Sequence, residues 1–278
     1  MFVTSPEGTL GPDHRAPPVL KRAYLAAALL VLAAPGLAAP ALAVVSEDDP
    51  LEPVNRAVFE FNRVVDGLVI EPAARVYRMV FPRIVRDGIR NAVANLATPV
   101  VLANDLLQGE FERAELTLGR FMLNTTLGLG GIIDIGAHVG MPERHYEDFG
   151  QTLAVWGVGS GPYLVLPILG PSNPRDALGY GVDFLFDPFA LLAPTEATLG
   201  RGAASGVSLR EENLETLAEL ERTSLDYYAS VRTLYRQMRA AAIRQGAPAP
   251  LEDIYDERIF EDDLEDPAAL ENEGDDGP

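Results

Sequence analysis

The stretch from Gln151 to Pro174 carries no charged side chain. It is longer than the ~20 apolar residues that let a helix span a bilayer. Gly157, Gly159, Gly161, Pro162, Pro167, Gly170 and Pro171 interrupt it throughout, and residues of these two types weaken or break a helix. Irregular backbone survives at membrane depth only where protein buries it or where it lines a cavity. The segment is therefore either a buried core loop or the wall of a passage at membrane level. Both readings stand at this point.

What precedes it bears on the compartment. Lys21 and Arg22 stand before an apolar run from Ala23 to Leu32, followed by Pro35, Gly36 and Ala41-Leu42-Ala43. A basic n-region, a short h-region and a small-x-small site form an export signal, with cleavage expected after Ala43. The run is too short and too broken for a comfortable spanning helix. Residues Met1 to Leu20 fit neither part of such a signal and point to a mis-assigned start or an extended n-region. Three segments are expected: an extension and signal over 1–43, a helical domain over 44–246, and a Pro/Ala linker with an acidic tail over 247–278.

Net charge is −19, but between Leu251 and Pro278 thirteen acids face one base, Arg258. The body is only mildly acidic. No basic footprint is present, which excludes a nucleic-acid partner. Within the tail, Leu251, Ile254, Tyr255 and Ile259 keep helical spacing and are candidate anchors for docking a partner in a groove. A disordered solubilising tail is the equal alternative. The absence of cysteine removes disulfides, thiolate metal sites and cysteine-linked lipid anchors together.

The body reads as all-α. A helix opens at Asp49 as cap, with Pro50 at its first position and a stripe of Leu51, Val54, Val58, Phe61 and Val65. Pro72 and Pro82 start further helices. Val85, Ile89, Val93 and Leu96 line one face of the second, opposite Arg83, Arg86 and Arg90. Phe111, Ala114, Leu118 and Phe121 stay in register through a fourth helical run. Asp183 to Leu192 suits an element lying in a membrane interface. A Gly-rich joint at Gly200 to Gly206 then leads to the longest helix, about Leu209 to Arg244, with Leu214, Leu217, Leu225, Tyr228, Val231, Tyr235 and Met238 inward. Short strands are possible around Ile132 to Ile135 and Tyr163 to Leu166.

A search for catalysis finds little. His138 and His145 flank a glycine-rich loop, where a plain surface or core imidazole is the stronger reading. Ser160 lacks the flanking glycines of a nucleophile elbow. The glycine runs match neither a phosphate loop nor a dinucleotide turn, and the carboxylates lack metal-loop spacing. No metal and no cofactor is expected. Arg83, Arg86, Arg90 and Arg175 are headgroup candidates, with a solvated face or helix-start ion pair as the alternative.

Several runs, in order and together, resemble the MlaA (VacJ) family of outer-membrane phospholipid-transport proteins. They are Asp49-Pro50-Leu51-Glu52-Pro53-Val54-Asn55-Arg56 with Phe59-Glu60-Phe61-Asn62 and Asp66; Asn95-Leu96, Pro99, Asn104 and Leu107-Gln108-Gly109; and Arg120 through Gly128 with Gly130-Gly131 and Asp134. Glu147 through Leu153 and Gly157 through Tyr163 follow, with Leu166-Pro167, Gly170-Pro171 and Arg175-Asp176 last. The resemblance implies a ring of in-plane amphipathic helices around an amphipathic channel, set in the inner leaflet of the outer membrane. It implies transfer of mislocalised phospholipid from the outer leaflet to a soluble periplasmic carrier, association with a trimeric porin, and no enzymatic step. It favours the passage reading of the charge-free stretch. Gly157, Gly159, Gly161, Tyr163, Leu164, Leu166 and Leu169, with Phe59 and Phe61, become the channel- or membrane-facing candidates. A periplasmic scaffold that binds a porin or the envelope and moves nothing is the competing expectation. Lipoprotein members carry a cysteine just after the signal, whereas this chain has Ala43-Val44 and leaves its mode of attachment open.

Overall fold

The computed structural model describes residues 49–245. The export signal and the tail anchors Leu251, Ile254, Tyr255 and Ile259 lie outside them. Helix α1 spans Glu52–Val65 and runs through a π-turn, Asp66–Ile70, into α2, Glu71–Val80. Pro72 has no N–H to donate, and the widened turn closes instead on a Glu71 N–H bond to the Asp66 carbonyl. Pro82 then sets off α3, Arg83–Gln108, which ends on Gly109 at φ +81°. Helix α4 spans Phe111–Thr126, followed by the single-turn α5, Ile135–His138, and the short α6, Phe149–Val155.

The charge-free stretch forms the only sheet among the described residues. Strand β1, Leu164–Leu166, pairs antiparallel with β2, Gly170–Ser172, in the register Leu164 to Ser172. A two-stranded hairpin is marginal alone, and α1 supplies what it lacks. Asn55 donates to the Tyr163 carbonyl and accepts from the Val165 N–H, both at 2.9 Å. Seven residues on, Asn62 donates to the Leu166 carbonyl at 2.9 Å and accepts from the Ile168 N–H at 2.7 Å. Two side-chain amides thus occupy the open strand edge. Ile132 to Ile135, the other candidate strand, is turn leading into α5.

Helix α7, Pro174–Phe186, is capped by the Asn173 side chain, and α8, Pro188–Leu192, by Asp187. Helix α7 lies on α6 so closely that a Cβ on Gly179 would stand 2.5 Å from the Gly150 backbone nitrogen. Gly179→Ala is therefore expected to lower stability by about 2–3 kcal/mol, since backbone cannot swing away as a side-chain end can. Chemical denaturation checks this, and a loss below about 0.5 kcal/mol would contradict the close approach.

The expected long C-terminal helix is three helices: α9, Thr195–Glu212; α10, Leu214–Thr223; and α11, Tyr227–Ile243. Asn213 makes the first break. Ser224-Leu225-Asp226 makes the second, with the Asp226 carboxylate accepting from the Ala229 N–H to cap α11. The expected joint at Gly200 to Gly206 lies inside α9. Ion pairs at Arg201–Asp187, among those glycines, and Arg210–Asp66, beyond them, pin that helix. No described helix is long and apolar enough to cross a membrane.

Candidate functional site

The helices bury the wrong face for a protein folded in water. On α1 the buried positions are Asn55 and Phe59, whereas Leu51, Val54 and Phe61 of the apolar stripe are exposed. On α3 they are Gly88, Asn95, Val101, Asn104 and Asp105, with Val85 outside. On α4 they are Ala114, Thr117, Arg120 and Asn124, while Phe111, 70% exposed, Leu118 and Met122 point away. Among the described residues eight apolar side chains are buried against eighteen polar or charged ones. Water-soluble interiors show the reverse bias.

This inversion redistributes the candidate residues. Phe59 is buried edge-on against Tyr227 and Tyr228, with ring centroids 5.4 Å apart in each pair. It belongs to the apolar cluster with Tyr163 and Val165 and faces neither lipid nor channel. The reason is its place on the Asn55 face, against the hairpin. Phe61, on the opposite face, is 52% exposed. Tyr163 likewise sits in the core, 3% exposed. Leu164 and Leu166 are half-buried, and Ile168 and Leu169 stand out at the hairpin tip. Gly157, Gly159 and Gly161 are exposed; Gly157 at φ +87° and Gly161 at φ +72° make the turns that lead into β1. The charge-free stretch is thus part core and part surface.

The arginine stripe divides too. Arg83 is 87% exposed. Arg86 and Arg90 turn to α9, where the buried Glu211 takes both, along with Arg78 at 2.8 Å. A buried carboxylate demands counter-charge, so these two hold helices together instead of meeting headgroups. Arg175 is buried and pairs with Asp176 at 3.0 Å. Among these four candidates, Arg83 alone stands out on the surface.

The interior is a chain of hydrogen-bonded polar clusters. Asp49 does not cap α1. Its buried carboxylate accepts from Asn55 at 2.9 Å, from the Tyr228 hydroxyl, and from Arg232 at 3.3 Å. Tyr228 is pushed well above its ordinary range by burial and by that bond. Arg120 holds both Asp134 oxygens at 2.7 Å, and Asn124 donates to the same carboxylate. Burial pushes Asp134 up, but Asn124, the Ala137 N–H and Arg120 outweigh it and hold the carboxyl low. Asn104 joins Thr152 to Asp183, which burial pushes up. Sequence reasoning missed this interior. Its signal was polar residues recurring at helical spacing, as at Asn55 and Asn62, or Thr117, Arg120 and Asn124.

Between α3, α4 and the loop before α6 lies a cavity of about 210 Å³. Ala94, Ala97, Val101 and Leu116 form its apolar wall, opposite Arg113, Arg120, Arg144 and His145. It is smaller than the ~300–1,000 Å³ of typical ligand pockets. His145 donates from Nε2 to the Asp105 carboxylate at 2.9 Å at its edge. Ser160 lines a different pocket and contacts the Gly161 carbonyl at 3.2 Å. The geometry does not bring these two candidates together as nucleophile and base.

Known proteins share both sequence and fold. A family model described as MlaA lipoprotein matches residues 47–242. The intermembrane phospholipid transport system lipoprotein MlaA of Shigella flexneri is 34% identical over 221 residues, 78% of this chain and 87% of that one. Its namesake in Haemophilus influenzae is 34% identical over 206 residues, 73% of this chain and 82% of that one. A solved structure, described as the structural basis for maintenance of bacterial outer membrane lipid asymmetry, matches with a TM-score of 0.65. It is 34% identical and covers 70% of this chain and 98% of its own. A polar-cored helical body, matched in sequence and fold over most of its length, belongs to the MlaA lipoprotein family.

Proposed function

We propose that this chain works in intermembrane phospholipid transport, taking mislocalised phospholipid from the outer leaflet of the outer membrane and passing it to a soluble periplasmic carrier. The observation that carries the reading is the inverted burial. Large apolar side chains on the outside are favourable when the surroundings are hydrocarbon, and the polar groups then collect within. Helices too short or too polar to span fit a body lying in the plane of one leaflet. Moving lipid down a gradient needs no bond-making group, so the reading includes no catalytic step.

Finer parts of the proposal follow from the same body. It sits at the periplasmic face of the outer membrane, beside a trimeric porin, with its signal removed after Ala43. The outward apolar faces attach it without a lipid-bearing cysteine. Phe61, Leu164, Leu166, Ile168 and Leu169 meet acyl chains, and Arg83 meets headgroups. The tail anchors Leu251, Ile254, Tyr255 and Ile259 dock the carrier.

Mass spectrometry of the protein gently solubilised from outer membranes should find phospholipid bound. A deletion strain should expose excess phospholipid at its surface. Lipid-free protein together with normal outer-leaflet asymmetry would sink the reading.

A further inference from the structure

A second pocket, of about 360 Å³, opens between the loop before β1, the start of α7 and the last turns of α11. Among the described residues its wall includes Arg175 and Arg239 and no carboxylate. The carboxylates that pair with these two stand behind the wall. Asp176 takes Arg175 at 3.0 Å and Arg239 at 2.7 Å, and Asp148 takes both terminal nitrogens of Arg239. Among the described residues, then, guanidinium groups and no carboxylate line the pocket.

One group here lacks a partner. Tyr163 lines this pocket, and its hydroxyl is buried with no hydrogen-bond partner. The other buried tyrosines of the cluster do not share that state: Tyr228 donates to Asp49 and Tyr235 donates to Asp176 at 2.7 Å. Burial and the charge of Asp49 push Tyr163 up to about 12, so it stays a donor across physiological pH. A buried unsatisfied donor is costly, and native proteins keep few of them. Phenylalanine would fill the same core without that cost.

We propose that this pocket binds a phosphate-type anion, with the Tyr163 hydroxyl donating to a phosphate oxygen and Arg175 at the wall supplying charge. A singly charged phosphodiester and a free phosphate share this chemistry. The phosphodiester source rests on the lipid-transport reading; the anion site itself does not.

The experiment uses the full chain in detergent and isothermal titration with glycerophosphoglycerol and, separately, inorganic phosphate. Tyr163→Phe should leave the thermal midpoint unchanged or raised, because no internal bond is lost. It should weaken anion binding about tenfold or more, the worth of one bond to a charged acceptor. Arg175→Gln should weaken it as well; Arg175 is buried, so this arm counts only where circular dichroism matches wild type. Binding of the diester and not of inorganic phosphate assigns the headgroup, and the opposite result assigns free phosphate. No binding of either, or equal binding by wild type and Tyr163→Phe, overturns the site. Loss of the site with lipid transfer intact would leave the transport reading standing. Normal asymmetry in the deletion strain with anion binding intact would fell transport alone.

Discussion

Asn55→Leu should destabilise the body by about 4 kcal/mol, the sum of three buried bonds lost with partners left behind. The side chain is 2% exposed and uses every bond it is given there. Its amide donates to Asp49 and to the Tyr163 carbonyl, and its oxygen accepts from the Val165 N–H. Leucine has the same branched four-atom skeleton, so no cavity is left while the Tyr163 carbonyl and the Val165 N–H go unpaired. Asp49 meanwhile loses one of the donors that hold its buried charge. In a body of this size each kcal/mol moves the midpoint by ~2–4 °C, so a fall of roughly 10 °C is expected. Asn55→Asp keeps the acceptor for Val165 but sets a second carboxylate against Asp49, and should fall at least as far. Thermal unfolding in detergent decides it: a drop of less than about 2 °C in both variants would mean that the hairpin does not hang on α1.

The same residue marks how far the sequence can be read. The glycines from Gly200 to Gly206 mislead, since they lie inside α9, but the helix starts at Pro72 and Pro82 are legible. These signals are local and do not depend on the surroundings. The inner face of each helix is not legible in the same way. An apolar stripe such as Leu51, Val54 and Phe61 on α1 gives the period without saying which side is the interior, and Asn55 and Phe59 are the buried residues. The breaks at Asn213 and Ser224 to Asp226 carry no proline or glycine, so an unbroken apolar rhythm hid them. At the site, Phe61 and Leu169 are exposed as an interface needs, whereas Phe59, Arg86 and Arg90 are spent on the fold. The partners that spend them, such as Glu211 for Arg86, are more than a hundred residues away and set by tertiary packing alone.

Removing Arg239 should both weaken the protein and change the sign of its response to pH. Arg239, on α11, reaches Asp148 at the cap of α6 at 2.5 and 2.6 Å and Asp176 in the first turn of α7 at 2.7 Å. Burial pushes both carboxyls up, yet Arg239 and the other donors outweigh it and hold both below the ordinary carboxylate range. Their folded pKa values thus lie below the unfolded ~3.9. The stability they contribute is full above about pH 4 and is lost as the pH falls through the folded values. The contribution of these two carboxylates should accordingly be flat from pH 5 to 7.5 and fall away below 4. In Arg239→Met, Asp176 keeps Arg175, Asn173 and Tyr235, but Asp148 keeps only Gln151. Burial then prevails at Asp148, whose folded pKa rises above the unfolded one. Such a group is stabilising below the unfolded pKa and costs stability as the pH climbs through the folded value. The variant should therefore lose about 3–5 kcal/mol at pH 7.5, where an uncompensated buried charge remains, and distinctly less at pH 4.5. Denaturant unfolding across that range measures the slope. Equal losses at pH 4.5 and 7.5 would show that Arg239 acts through packing and not through the charge of Asp148.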